Sequence, residues 1–117
     1  MKDKITLYEK STCTKCRQTE KILREKGVSF EQVYYHETPL SKEKLAQLID
    51  KMGISPRELL RTGEELYKEL GIKDKEFADD ELIALMREHP DLMQRPIAEK
   101  GEKAVLARPP EKILELL

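Results

Sequence analysis

The pair Cys13 and Cys16, in the stretch Cys13-Thr14-Lys15-Cys16, constrains this chain more than any other feature. They are its only 2 cysteines, and a bridge between them would close too short a loop to serve as a structural disulfide. The residues before them, Ile5-Thr6-Leu7-Tyr8, alternate in a β-favouring pattern and predict a strand. The residues after them, Arg17 to Lys26, predict a helix that Gly27 closes at its C′ position, and Val28 to Tyr35 predicts a second strand. A thiol on the opening turn of a helix faces unpaired N–H groups and the positive end of the helix dipole, and both favour thiolate over thiol. Lys15 and Arg17 add positive charge close by. A free cysteine titrates at about 8.5, and such surroundings lower that to roughly 7 or below. Cys13 is therefore the candidate nucleophile, and Cys16, one turn further in, can reach back to it.

A CxxC at the joint of strand and helix, within a βαβ pattern, is the mark of a thioredoxin-like redox motif. The 117 residues suffice for one domain with a real core. Lys and Arg number 22 against 23 Asp and Glu, which argues against a general nucleic-acid or membrane-surface binder and leaves room for a local basic pocket. No apolar run approaches the about 18 residues of a membrane span. Met1-Lys2-Asp3-Lys4 lacks the apolar segment of a signal peptide, so a cytoplasmic protein is expected. No metal is expected either, because His36 and His89 have no ligand-like spacing to the cysteine pair.

After a loop at His36 to Leu40, Ser41 caps a helix with Leu45, Leu48, Ile49 and Met52 on one face, ended by Gly53. Ser55-Pro56-Arg57-Glu58 is a capping box with proline at the first helical position, leading through Leu59, Leu60 and Arg61. Thr62 and Glu65 repeat the capping pattern ahead of Leu66, Tyr67, Leu70 and Gly71. Asp79 or Asp80 opens a further helix with the stripe Leu82, Leu85, Met86, and Pro90 stops it. These stripes are core-forming and carry no chemistry. His89 reads as a helix-end residue and His36 as a loop residue without a visible partner.

Gly101-Glu102 fits a two-residue hairpin turn with glycine at the first central position. That register sets Lys100 opposite Lys103 and Arg95 opposite Arg108, with both arginines on one face. Two cations so placed repel unless an anion lies between them, and guanidinium forks suit oxyanions. Each arginine also precedes a proline, which biases it toward extended backbone. Arg61, by contrast, is expected to neutralise the C-terminus of its short helix. Pro109-Pro110 opens a last short helix through Ile113, Leu114 and Leu117. A thiolate at a helix start beside converging arginines is a nucleophilic sulfur next to an oxyanion pocket.

Cys13 followed by Arg17, then Met52-Gly53-Ile54-Ser55-x-Arg57-x-Leu59-Leu60-Arg61, Glu88-His89-Pro90, Arg95-Pro96-Ile97 and Arg108-Pro109, resembles the arsenate reductase family of the glutaredoxin-linked type. The resemblance runs over roughly residues 4–117. It implies an α/β, thioredoxin-like fold: a mixed four-stranded sheet with helices on its faces, in a single domain over residues 1–117 with a helical insertion at about 41–90. It implies that Cys13 attacks arsenate and that Arg61, Arg95 and Arg108 hold the oxyanion. It also implies a cis bond at Pro96 and no bound cofactor. The reductant would be a thiol donor, glutathione with glutaredoxin or else thioredoxin. A monomer is the expected state. Two positions depart from the family pattern. Glu9-Lys10-Ser11 stands where the enzymes carry His-Asn-Pro, and a glutamate there is expected to oppose thiolate formation, offset by Lys10. Cys16 stands where they carry serine; a CxxC is shared with the related Spx-type regulators, which bind RNA polymerase, as is a stretch like Pro39-Leu40-Ser41. The alternatives are thus a general thiol–disulfide reductase of this fold and an Spx-like redox-sensing regulator.

Overall fold

The protein is described by a computed structural model, over residues 4–117. The signal-peptide reading of Met1, Lys2 and Asp3 falls outside the described residues. Strand β1 (Ile5–Glu9) leads through the cysteine loop into α1 (Thr14–Glu25), and β2 (Phe30–Tyr34) follows. Then come α2 (Lys42–Met52), α3 (Glu65–Glu69) and α4 (Asp79–Glu88), with 3-10 turns at Pro56–Leu59, Ile72–Asp74 and Pro90–Leu92. Strands β3 (Ile97–Lys100) and β4 (Lys103–Leu106) and a 3-10 segment at Pro110–Leu116 close the chain. The sheet is four-stranded and mixed, in the order β2-β1-β3-β4. β1 runs parallel to β2 and antiparallel to β3, and β3 is antiparallel to β4. The hairpin register is the expected one, with Lys100 opposite Lys103 and Ile97 opposite Leu106, and Gly101 takes the positive φ of 59° that the tight turn requires.

The chain forms two compact units: the segment up to Thr38 together with Arg95–Leu117, and Pro39–Gln94. The first holds the sheet. Alternation along β1 sends Ile5, Leu7 and Glu9 to the face that α1 covers. Ile5 and Leu7 join Leu23, Ala98, Ala107, Ile113 and Leu116 in one buried cluster, so α1 and the C-terminal 3-10 segment share that face. The opposite face carries Tyr8, whose hydroxyl donates to buried Glu99 at 2.7 Å.

The second unit is helical. Ser41 Oγ accepts the Lys44 N–H at 3.0 Å and Gly53 ends α2 at φ 68°, as the sequence predicts. Leu45, Leu48, Leu82 and Met86 supply its buried stripes. Two sequence expectations change here. The short turn stops at Leu59, because Leu60 pairs in an antiparallel bridge with Met93, flanked by Arg61 N–H to Leu92 O at 2.7 Å and Gln94 N–H to Leu59 O at 2.9 Å. Thr62 caps nothing, since α3 begins at Glu65 with Glu64 at its N-cap. Among the described residues no helix is long and apolar enough to cross a membrane.

Candidate active site

Helix α1 begins earlier than the sequence predicts, at Thr14, which makes Cys13 its N-cap residue. The cause is local: Cys13 Sγ takes the place of a capping oxygen and accepts the Cys16 N–H at 3.2 Å. The Cys13 N–H is itself tied to Lys10 O at 3.2 Å, and the Cys13 carbonyl accepts Arg17 N–H at the same distance. The sulfur therefore sits on the first turn with its backbone fixed on both sides. Cys13 is 8% exposed and Cys16 0%, so the outer sulfur alone meets an incoming group. Burial pushes the Cys16 thiol well above the ordinary range, and the facing Cys13 sulfur and Glu9 push it the same way. Only the Lys10 backbone N–H works against that. Cys16 is thus a protonated neighbour in the resting protein.

Arg95 ends the approach to β3 and is buried, beside both the Cys13 sulfur and the Tyr35 hydroxyl. Burial works against its charge, yet Tyr35 and Cys13 hold it above the ordinary guanidinium range. Tyr35 is raised in turn by burial, with Arg95 opposing the shift. Arg108 lies just past β4, half-buried, and its Nη1 donates to the Arg95 carbonyl at 3.2 Å. The hairpin brings the two arginines together, but Arg108 braces the backbone of Arg95 instead of presenting a bare, repelling charge to it. The Arg95–Pro96 and Arg108–Pro109 bonds are both cis; sequence reasoning named the first and was silent on the second. Arg61 belongs to the helical unit. It does not close a helix there, and its Nη1 pairs with Glu64 Oε2 at 3.2 Å.

Glu9 departs most from expectation. Its side chain is fully buried at the end of β1 and faces the Glu20 carboxyl. Gln32 Nε2 donates to Glu9 Oε1 at 2.9 Å. Arg17 Nη2 stands 2.7 Å from Glu20 Oε2 and 3.4 Å from Glu9 Oε1. Burial first, then Glu20, pushes the Glu9 carboxyl up to about 8, with Gln32 and Arg17 opposing. Near neutral pH it is mostly uncharged, so it does not confront Cys13 as the full anion expected from the sequence. Arg17, for its part, is spent on these carboxyls and on the carbonyls of Ser11 and Lys10, at 3.0 and 3.5 Å. The cation beside the candidate nucleophile is Arg95.

Sequence reasoning missed Glu20 and Tyr35. A signal for Glu20 was present: Cys16, Glu20 and Leu23 fall at helical spacing on the buried stripe of α1, and a charge on such a stripe demands a partner. Tyr35 had none, because its proximity to Arg95 depends on the pairing of distant strands. His36, read as a lone loop residue, has its ring centroid 4.8 Å from that of Tyr35.

The model of the ArsC family matches residues 8–116 of the chain. An arsenate reductase of Escherichia coli is 42% identical over 113 residues, covering 97% of this chain and 80% of the relative. The uncharacterized protein YfgD of Escherichia coli K12 is 41% identical over 118 residues, covering 100% of this chain and 99% of the relative. Among solved structures, an arsenate reductase from Vibrio cholerae superposes with a TM-score of 0.93 at 39% identity, covering 98% of each chain.

Proposed function

We propose, from the premise that the chain belongs to the ArsC family, that it reduces arsenate to arsenite at the expense of thiols. The fold is thioredoxin-like, as the likeness to the Vibrio cholerae enzyme indicates. The observation that carries the reading is a sulfur capping a helix beside a buried arginine: Cys13 with Arg95 against it. A thiolate there is both nucleophilic and next to a group that binds oxyanions. Arg108, which braces Arg95, and Arg61, assigned from its motif, complete the proposed oxyanion set.

In the first step Cys13 thiolate attacks arsenic and one arsenate oxygen leaves as water, giving a sulfur–arsenic bond. The arginines stabilise the charge that shifts onto the remaining oxygens. In the second step another thiolate attacks the Cys13 sulfur. A sulfur–sulfur bond forms, the sulfur–arsenic bond breaks, and its electron pair stays on arsenic, which becomes arsenite. Two thiols thus supply two electrons. The closeness of Cys16 favours it as the second thiol, leaving a Cys13–Cys16 disulfide for a dithiol donor of the thioredoxin or glutaredoxin class to reduce. Cys16 must first lose a proton that its burial holds tightly.

The test is a coupled reductase assay with arsenate, run with a thioredoxin system and separately with glutathione and glutaredoxin. Turnover with at least one is expected, and Cys13→Ser should abolish it. Failure with both systems would defeat the reading. Arg95→Ala should weaken oxyanion binding by roughly 1.5–3 kcal/mol, the scale of a hydrogen bond to a charged group. Unchanged arsenate affinity would remove Arg95 from the pocket.

A further inference from the structure

We infer that Glu9, Glu20 and Arg17 form a proton-holding clamp that positions the loop carrying Cys13: Arg17 pins the Lys10–Ser11 backbone while the two carboxyls share one proton. Glu9 continues the Ile5 and Leu7 face of β1, and Glu20 lies on the Cys16 and Leu23 stripe of α1. Strand and helix periodicity thereby drive two carboxyls into one dry interface. Both are buried, and they face each other at hydrogen-bonding range. Glu9 Oε1 takes Gln32, whereas Glu9 Oε2 is buried with no donor. Two carboxylates so close repel strongly, and a single proton between them converts the repulsion into a charge-assisted hydrogen bond. The pair then carries one negative charge, which matches the one positive charge of Arg17.

The groups facing the pair come from every neighbouring element. Arg17, Cys16 and Arg24 face it from α1, Arg24 Nη2 reaching Glu20 Oε1 at 3.3 Å from a largely exposed position. Gln32 faces it from β2, and Tyr34 of that strand interacts with Arg17. Lys10 lies in the loop. Arg24 is the second cation at the pair, but it is more exposed than Arg17 and, at 3.3 Å against 2.7 Å, further from Glu20, so water screens it more and it balances a second anion less well. The high pKa of Glu9 agrees with this charge count.

The clamp reaches both sulfurs through one residue. Lys10 O accepts the Cys13 N–H at 3.2 Å, and the Lys10 N–H faces the Cys16 sulfur. Arg17 holds that residue and the next, with Nη1 on Ser11 O at 3.0 Å and Nη2 on Lys10 O at 3.5 Å. The same Nη2 serves Glu20 and Glu9. Loss of the shared proton draws Arg17 toward two anions and away from Lys10 O, so the loop loosens and Cys13 loses its fixed presentation. Glu9, Glu20 and Arg17 are positioning residues, acting on the sulfur through the backbone.

The test uses the full chain and needs no arsenate, so it stands apart from the proposed reductase activity. Side-chain carboxyl NMR should show one glutamate titrating near about 8, shifted down in Glu20→Gln. The Cys13 alkylation rate constant, corrected for thiolate fraction, should fall through the same pH range. Glu9→Gln mimics the protonated carboxyl and should remove that fall. Arg17→Lys keeps the charge but loses the fork, and should slow alkylation by roughly tenfold or more, as misplacement of a reacting group does. Titration of every glutamate in the ordinary carboxylate range would overturn the shared proton. An unchanged alkylation profile in Glu9→Gln, or an unchanged rate in Arg17→Lys, would overturn the clamp. Amide spectra of each variant check that it is folded.

Discussion

At the scale of single residues, one sulfur caps a helix and is the proposed nucleophile, while its neighbour three residues on is kept protonated by burial. Internal resolution by Cys16 has a defined outcome. Cys16→Ser should lose turnover with thioredoxin alone and regain part of it with glutathione and glutaredoxin, because an intramolecular thiol competes at an effective concentration that can reach on the order of 10⁵ M. Unchanged turnover, with a glutathione adduct on Cys13 of the wild type in mass spectra, would rule it out. Glu9 also sets a pH dependence of stability. Its folded pKa of about 8 lies above the ordinary glutamate value of 4.5, so the folded state holds a proton the unfolded chain has released, and stability falls as pH rises from about 4.5 to about 8. Glu9→Gln should flatten that decline in urea midpoints measured at about pH 5 and about pH 8. An equal slope in wild type and variant would contradict the assignment. The placement of Cys13 at a helix start and of Arg95 next to Arg108 was legible because it follows from local motifs and one hairpin register. The true partners of Glu9 and Arg17 were not, since they depend on which face of β1 meets which stripe of α1.

At the scale of elements, local signals were read well where the chain itself supplies the partner. Ser41, Gly53 and Gly101 each mark an end or a turn that the backbone adopts. The failures at Leu60 and Arg61 share one cause: a bridge to Met93, a residue distant in sequence, outweighs a helical continuation that propensity favours. The ends of α2 give a measurable case. Ser41→Ala should cost about 1 kcal/mol of stability through the lost cap. At Gly53, nothing lies within 4 Å of an added Cβ, so Gly53→Ala meets only the backbone penalty of a left-handed conformation, roughly 1–2 kcal/mol. Chemical denaturation of both variants checks this. A Gly53→Ala protein as stable as wild type would mean that α2 ends differently in solution.

At the scale of the whole molecule, the sheet is assembled from the two ends of the chain, and a continuous helical unit lies between them in sequence. The sequence made the helical segment visible through its stripes and made the hairpin visible through its turn. It did not show that β3 inserts beside β1, a pairing of Ile5 with Lys100 that no local pattern announces. This topology orders events in time. As the chain leaves the ribosome, β1 waits with one edge open until β3 arrives, and closing so long a loop is slow. Pro39–Gln94 needs no residue outside itself for its bridge and helix contacts, so its amides should gain protection first in pulsed hydrogen exchange during refolding. Protection appearing first in β1 and β3 would contradict that order. The proposed nucleophile is thus synthesised early and the arginine beside it late. A nascent chain ending at Gln94 already carries the sulfur but has no Arg95 beside it, so the proposed oxyanion chemistry requires the last strands to be in place.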